Sequence, residues 1–118
     1  MSPTPGEFMR RFVHAGLFAI LLFASSNAFA RDDKGGDAAK GKDVFEQCGG
    51  CHNADSTDRK MGPGLKGLFS KEKLSNGKKP TYDNVLQQVN EGGNGMPGYK
   101  DLLSDQEKKD LLAYLQTL

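Results

Sequence analysis

The sequence predicts an all-α domain of about three helices joined by long loops, and three observations carry that prediction. Segments beginning near Asp37, Tyr82 and Asp105 repeat apolar residues at three- and four-residue steps. Nowhere do apolar and polar residues alternate over the length of a strand. The connections are rich in Gly, Asn, Ser, Asp and Lys, the composition of turns, and no segment repeats another.

The first thirty residues stand apart. Arg10 and Arg11 precede an apolar run from Ala15 to Ala24, and Ser25-Ser26-Asn27 leads into Ala28-Phe29-Ala30. A charged start, an apolar middle and an A-x-A ending make residues 1–30 a signal peptide, removed on export. An uncleaved membrane anchor is the competing reading, since Phe12 to Ala30 carries no charge other than a protonated His14. Its strictly apolar stretch falls well short of the roughly 20 residues that span a bilayer. Phe12-Val13-His14 fits a twin-arginine signal poorly. Export as an unfolded chain to the periplasm is expected, giving a soluble product with no permanent membrane span.

The 16 basic and 15 acidic residues of the whole chain become 14 and 14 once Glu7, Arg10 and Arg11 are removed. This balance argues against a general affinity for nucleic acid. Arg31 to Leu118 is 88 residues, enough for one domain whose apolar core alone is marginal without a staple.

Within it, residues 31–36 are polar, contain glycine and lack periodicity, a flexible lead to a domain spanning 37–118. Ala38, Gly41, Val44, Phe45 and Cys48 then form the apolar or small side of a short helix. Gly41 inside it costs about 1 kcal/mol relative to alanine, which asks for a packing reason such as the close approach of another helix. Cys51 to Lys79 reads as a long structured loop with at most one helical turn around Leu65, Leu68 and Phe69. A loop of that length needs something to hold it, and a large ligand would do so. Thr81 caps a second helix from Tyr82 to about Asn90, with Val85, Leu86 and Val89 on one face, and Gly92-Gly93 stops it. Ser104-Asp105-Gln106-Glu107 is a capping box opening the last helix, whose apolar side is Leu111, Leu112, Tyr114, Leu115 and Leu118.

The chemistry concentrates in Cys48-Gly49-Gly50-Cys51-His52, the C-x-x-C-H spacing of c-type haem attachment. Two thiols three positions apart on a helical turn can face one way and add to the two vinyl groups on one porphyrin edge, and the adjacent imidazole then meets the iron. A covalent haem would also supply the missing staple and fill the core. The alternatives fit less well. Zinc asks for four ligands, and after residue 30 the chain offers two Cys and one His. A thioredoxin-like dithiol is expected beside βαβ elements, which are not visible here. A disulfide across three positions closes too short a loop to stabilise much.

Taken together, these segments resemble the class I cytochromes c, over nearly all of Asp37 to Leu118 and in the family's order. The resemblance implies that family's small fold, wrapped around one covalently bound haem c with Cys48 and Cys51 as its thioethers. It implies that Gly41 and Phe45 on the first helix cross Leu111 and Tyr114 on the last. Gly62-Pro63-Gly64-Leu65 is similar to the segment in which a proline carbonyl accepts the second ring N–H of the ligating histidine, making Pro63 the orienting partner of His52.

The sixth iron ligand decides the function, because His/Met ligation marks electron-transfer cytochromes and an open position marks gas binding or oxidation chemistry. Met61 and Met96 are the candidates. Around Met96, glycines permit close backbone approach and Pro97 holds the methionine extended. Met96-Pro97-Gly98-Tyr99 resembles the family's ligand loop, whereas Met61 reads as core filler. With His52 and Met96 on the iron, the expectation is a monomeric electron carrier and not an enzyme. It would exchange one electron transiently with a redox protein donor and acceptor and act on no small-molecule substrate. Lys71, Lys73, Lys78 and Lys79 could steer an acidic partner or be a solvated loop. The rivals are a haem enzyme or sensor with a displaceable sixth ligand, and a cytochrome c subunit of a larger oxidoreductase.

Overall fold

The computed structural model describes residues 34–118; the signal-peptide reading of residues 1–30 lies outside the described residues. Each helix begins where its capping residue sets it. The Asp37 carboxylate accepts from the amides of Ala39 and Lys40 and opens α1, Ala38–Phe45. The Thr81 hydroxyl accepts from the Asn84 amide at 3.2 Å and opens α2, Tyr82–Glu91. Ser104 and Glu107 cap each other reciprocally and open α3, Asp105–Leu115. The hydrogen bonds from the Ser104 backbone and hydroxyl hold the Glu107 carboxyl below the usual carboxylate range.

Helix α1 is shorter than its periodicity implies. After Phe45 the backbone tightens, with Cys48 N–H donating to the Phe45 carbonyl at 2.7 Å. Gly49 and Gly50 follow, poor residues for continuing a helix. Cys48 therefore sits on a run of turns beyond the helix end. The long connection from Cys51 to Pro80 contains one 3-10 turn, Leu68–Ser70, and is tied by scattered backbone bonds, among them Gly62 to Cys51 at 2.8 Å and Leu65 to Asn53 at 2.7 Å. Among the described residues there is no strand, only an isolated bridge between Gly93 and Met96.

Helices α1 and α3 cross with Gly41 at the contact. A Cβ there would run into the Asp110 carbonyl and stand 2.8 Å from Tyr114 Cβ, which is the packing reason the glycine asked for. One turn on, the rings of Phe45 and Tyr114 meet at 5.4 Å and 57°. The start of α1 is pinned to the same helix by the Asp37 amide, which donates to the buried Asp110 carboxylate at 2.8 Å. Just ahead of α1, the Gly35 carbonyl accepts from Gln106 Nε2, and a Cβ on Gly36 would strike the Lys109 carbonyl. Leu111 and Leu112, at 1% and 0% exposure, are the centre of a core shared with Phe45, Leu68, Val85, Val89, Leu103 and Leu115. Eight such side chains are few for a domain of this size, and the helices leave a cavity beside them.

Candidate functional site

That cavity, about 490 Å³, is lined by Cys48, Cys51, His52 and Met96 together with apolar core residues from all three helices. Its size lies within the roughly 300–1,000 Å³ of cofactor and ligand sites. Residues 44–48 apart in sequence thus converge on one space, the motif from one side and the Met96 loop from another.

The motif is set by local backbone bonds. Cys51 and His52 amides both donate to the Cys48 carbonyl, at 3.1 and 3.0 Å, curling the chain into a single turn. The two thiols are free and half-buried. Burial, with Cys51 nearby, pushes the Cys48 thiol above its ordinary range, so it stays protonated at neutral pH. His52 Nδ1 lies 2.8 Å from the Pro63 carbonyl oxygen. A carbonyl only accepts, so Nδ1 carries the proton and Nε2 keeps its lone pair for another partner. Gly62 permits this, since a Cβ there would stand 2.8 Å from Nδ1 and 3.0 Å from Nε2 of the ring.

On the other side, Gly93 and Met96 exchange backbone hydrogen bonds at 2.9 and 3.1 Å across Asn94 and Gly95, whose φ angles are 52° and 88°. Two central residues at positive φ are the pattern of a type I′ turn, which Asn-Gly favours. The glycines of this segment mainly let the loop fold on itself: a Cβ on Gly92, at φ 65°, would meet Met96 O and stand 2.7 Å from the Pro97 carbonyl carbon. The Tyr99 amide returns to the Val89 carbonyl at 2.9 Å, closing the loop against the end of α2.

The two methionines differ in their settings, although both line the cavity. Met61 is 79% exposed, with its sulfur 3.8 Å from Cys51 Sγ. It is not core filler, because the loop ties from Gly62 to Cys51 leave it on the rim. Met96 is half-buried, and its Sδ is 3.7 Å from Gln88 Nε2. The lysine cluster is partly committed elsewhere: Lys71 Nζ donates to the Gly64 carbonyl and Lys78 Nζ to Gln87 Oε1, each at 2.6 Å.

Tyr99, the aromatic of the Met96 loop, also lines the cavity, as does Gln88, which was not singled out from the sequence. Burial, followed by the nearby Cys48 and Cys51, raises the Tyr99 phenol above its usual range. A sequence signal for Gln88 did exist, since it falls between Val85 and Val89 on the buried face of α2 at steps of three and one.

The residues present suit a haem. Two free thiols at the required spacing, an imidazole with its outer nitrogen already hydrogen-bonded, and a thioether share one largely apolar cavity. Among the described residues, no three His, Cys, Asp or Glu side chains gather as a site for a bare metal ion.

Comparison with known proteins agrees with this geometry. The family model described as Cytochrome c matches residues 38–118. A cytochrome c6 of Thermostichus vulcanus is 31% identical over 107 residues, covering 90% of this chain and 89% of the relative. A cytochrome c2 of Rhodospirillum rubrum is 44% identical over 59 residues, which cover 49% of this chain but only 41% of that relative. Among solved structures, cytochrome c6 from the diatom Phaeodactylum tricornutum superposes with a TM-score of 0.53 at 29% identity, covering 70% of this chain and 93% of that one.

Proposed function

Because this chain belongs to the cytochrome c family, we propose that it is an exported carrier of single electrons, with one haem c bonded to Cys48 and Cys51 and ligated by His52 and Met96. The observation that carries the reading is the shared cavity on which these four side chains meet, with His52 oriented through Pro63. The haem, when bound, supplies an iron that cycles between ferric and ferrous by one electron.

The chain's own residues determine what that iron can do. Cys48 and Cys51 would hold the haem through thioethers, each S–H adding across a vinyl double bond with the sulfur on one carbon and the hydrogen on its neighbour. The Cys48 thiol, protonated at neutral pH, is in the form this addition balances on. His52 presents Nε2 because Pro63 holds the proton on Nδ1. Met96, on the cavity's other side, would supply the second protein ligand and leave no iron position for a substrate. The protein is an electron carrier and not an enzyme. Leu111, Leu115, Val85 and Phe45 exclude water from the cavity, which keeps solvent reorganisation around the iron small. Electrons pass at the rim, where Met61 is exposed, to redox proteins met transiently in the periplasm. No helix among the described residues is long and apolar enough to cross a membrane.

The test is the visible spectrum of protein exported by a host with c-type haem maturation, oxidised and reduced, for wild type and Met96→Ala. A six-coordinate, low-spin wild type whose far-red thioether–iron band disappears in the variant is the expected result. A five-coordinate wild type, or an unchanged variant, refutes Met96 ligation and with it the closed iron on which this reading depends.

A further inference from the structure

The apolar face of α3 carries a charge where the helix register asks for a hydrophobe. Counted back from Leu115, Leu112 and Leu111 in three- and four-residue steps, the next position on that face is Lys108. Lys108 is buried, at 8% exposure, while its neighbours Glu107 and Lys109 face solvent. A lysine is almost never buried without a partner. Here Nζ donates to the Lys100 carbonyl at 2.6 Å. The Asp105 carboxylate, exposed and 3.9 Å away, is too distant and too hydrated to hold the ammonium.

Lys100 lies on the exit of the Met96 loop, and its backbone is gripped from both sides. Its N–H donates to the Asn90 carbonyl at the end of α2, at 3.3 Å, and its C=O accepts from Lys108 of α3. One residue earlier the Tyr99 amide returns to Val89 of α2 at 2.9 Å, and the amides of Leu102 and Leu103 turn back to the Tyr99 carbonyl, each at 3.2 Å. The loop exit is thus held to α2 by backbone bonds and to α3 by an ammonium. An apolar residue at 108 would continue the stripe of Leu111, Leu112 and Leu115 but would give up that bond to the loop.

We propose that Lys108 is a positioning residue for the Met96 loop, fixing the loop exit to α3 so that the thioether holds its place on the iron against competing small ligands. The proposal rests on Met96 being the sixth ligand. The sulfur leaves the iron only when the loop moves outward, and α3, anchored by the fully buried Leu111 and Leu112, does not follow it. Outward movement therefore breaks the bond between Lys108 and Lys100. A hydrogen bond from a charged donor is about twice as strong as a neutral one, and losing it shifts a local opening equilibrium about tenfold. The domain as a whole responds differently, because replacing a buried charge by an apolar side chain of similar length is often neutral or stabilising.

The experiment uses the haem-loaded, oxidised full chain and titrates it with imidazole, which takes the place of the Met96 sulfur, one bond to iron forming as the other breaks and no electron being transferred. Loss of the far-red thioether–iron band gives the affinity for wild type, Lys108→Met and Lys108→Arg, and guanidinium unfolding is measured on each. Lys108→Met is expected to bind imidazole about tenfold more tightly, with an unfolding midpoint no lower than that of wild type. Lys108→Arg keeps a cationic donor and is expected to bind within about twofold of wild type. Unchanged imidazole affinity in Lys108→Met overturns the proposal. So does a Lys108→Arg that binds as tightly as Lys108→Met, since the donor is then not what holds the loop. A tighter-binding Lys108→Met whose unfolding midpoint falls in proportion also overturns it, because the effect is then one of overall stability. A wild type without the far-red band refutes Met96 ligation, a separate failure seen before any variant is compared, and this proposal falls with it.

Discussion

Replacing Gly41 with alanine isolates the helix crossing from everything else in the domain, because propensity and packing predict opposite signs. In an open helix the change stabilises by about 1 kcal/mol. Here the new Cβ would enter the space of the Asp110 carbonyl, with Tyr114 Cβ at 2.8 Å. The obstructing atoms are backbone on the rigid, buried face of α3, so no side chain can rotate away. The helices must separate by on the order of 1 Å, which loosens the Phe45–Tyr114 contact now at 5.4 Å and the packing around Leu111. Overpacking of this kind costs roughly 1–3 kcal/mol. Taking about 3 kcal/mol against the 1 kcal/mol gain leaves a net loss of about 2 kcal/mol. With a guanidinium m value of about 3 kcal/mol/M, the midpoint falls by roughly 0.7 M. The assay is guanidinium unfolding of haem-loaded wild type and Gly41→Ala, followed by far-UV circular dichroism. A variant as stable as wild type, or more so, would refute backbone contact between α1 and α3.

Asp110 should confer acid sensitivity. The Asp37 amide, and to a lesser degree Gln106, hold its carboxyl below the usual range. A carboxyl lowered on folding contributes stability above its unfolded value, about pH 4, and that contribution is lost as pH falls through the lowered folded value. Asp110→Asn is expected to cost about 1–2 kcal/mol at pH 7 and to flatten the stability profile below pH 4, measured as unfolding midpoints from pH 3 to 7. Gly62→Ala pushes a methyl against the His52 ring and should cut haem incorporation roughly tenfold, the scale of disturbed orienting partners, read as haem per exported chain. Ser104→Ala removes the cap of α3 and should lower stability by about 1 kcal/mol by the same unfolding assay.

What the sequence by itself determined is what neighbours along the chain control. Asp37, Thr81 and Ser104 act on amides two or three residues away, so the helix starts were legible. Cys48, Cys51 and His52 are held by bonds within a single turn, so their grouping was legible along the chain. Tertiary structure decided the matters that need distant segments. It ended α1 at Phe45, ahead of the cysteines, and put Met61 on the rim, where the Gly62 tie to Cys51 holds the loop outward. It brought Gln88 of α2 to the Met96 sulfur and Asn76 to Gln88, although nothing in the polar loop around Asn76 marks it from its neighbours. Local hydrogen bonds are encoded by residue type within one turn. Which amide faces which sulfur depends on how three helices pack around one cavity, and that information is shared among residues dozens of positions apart.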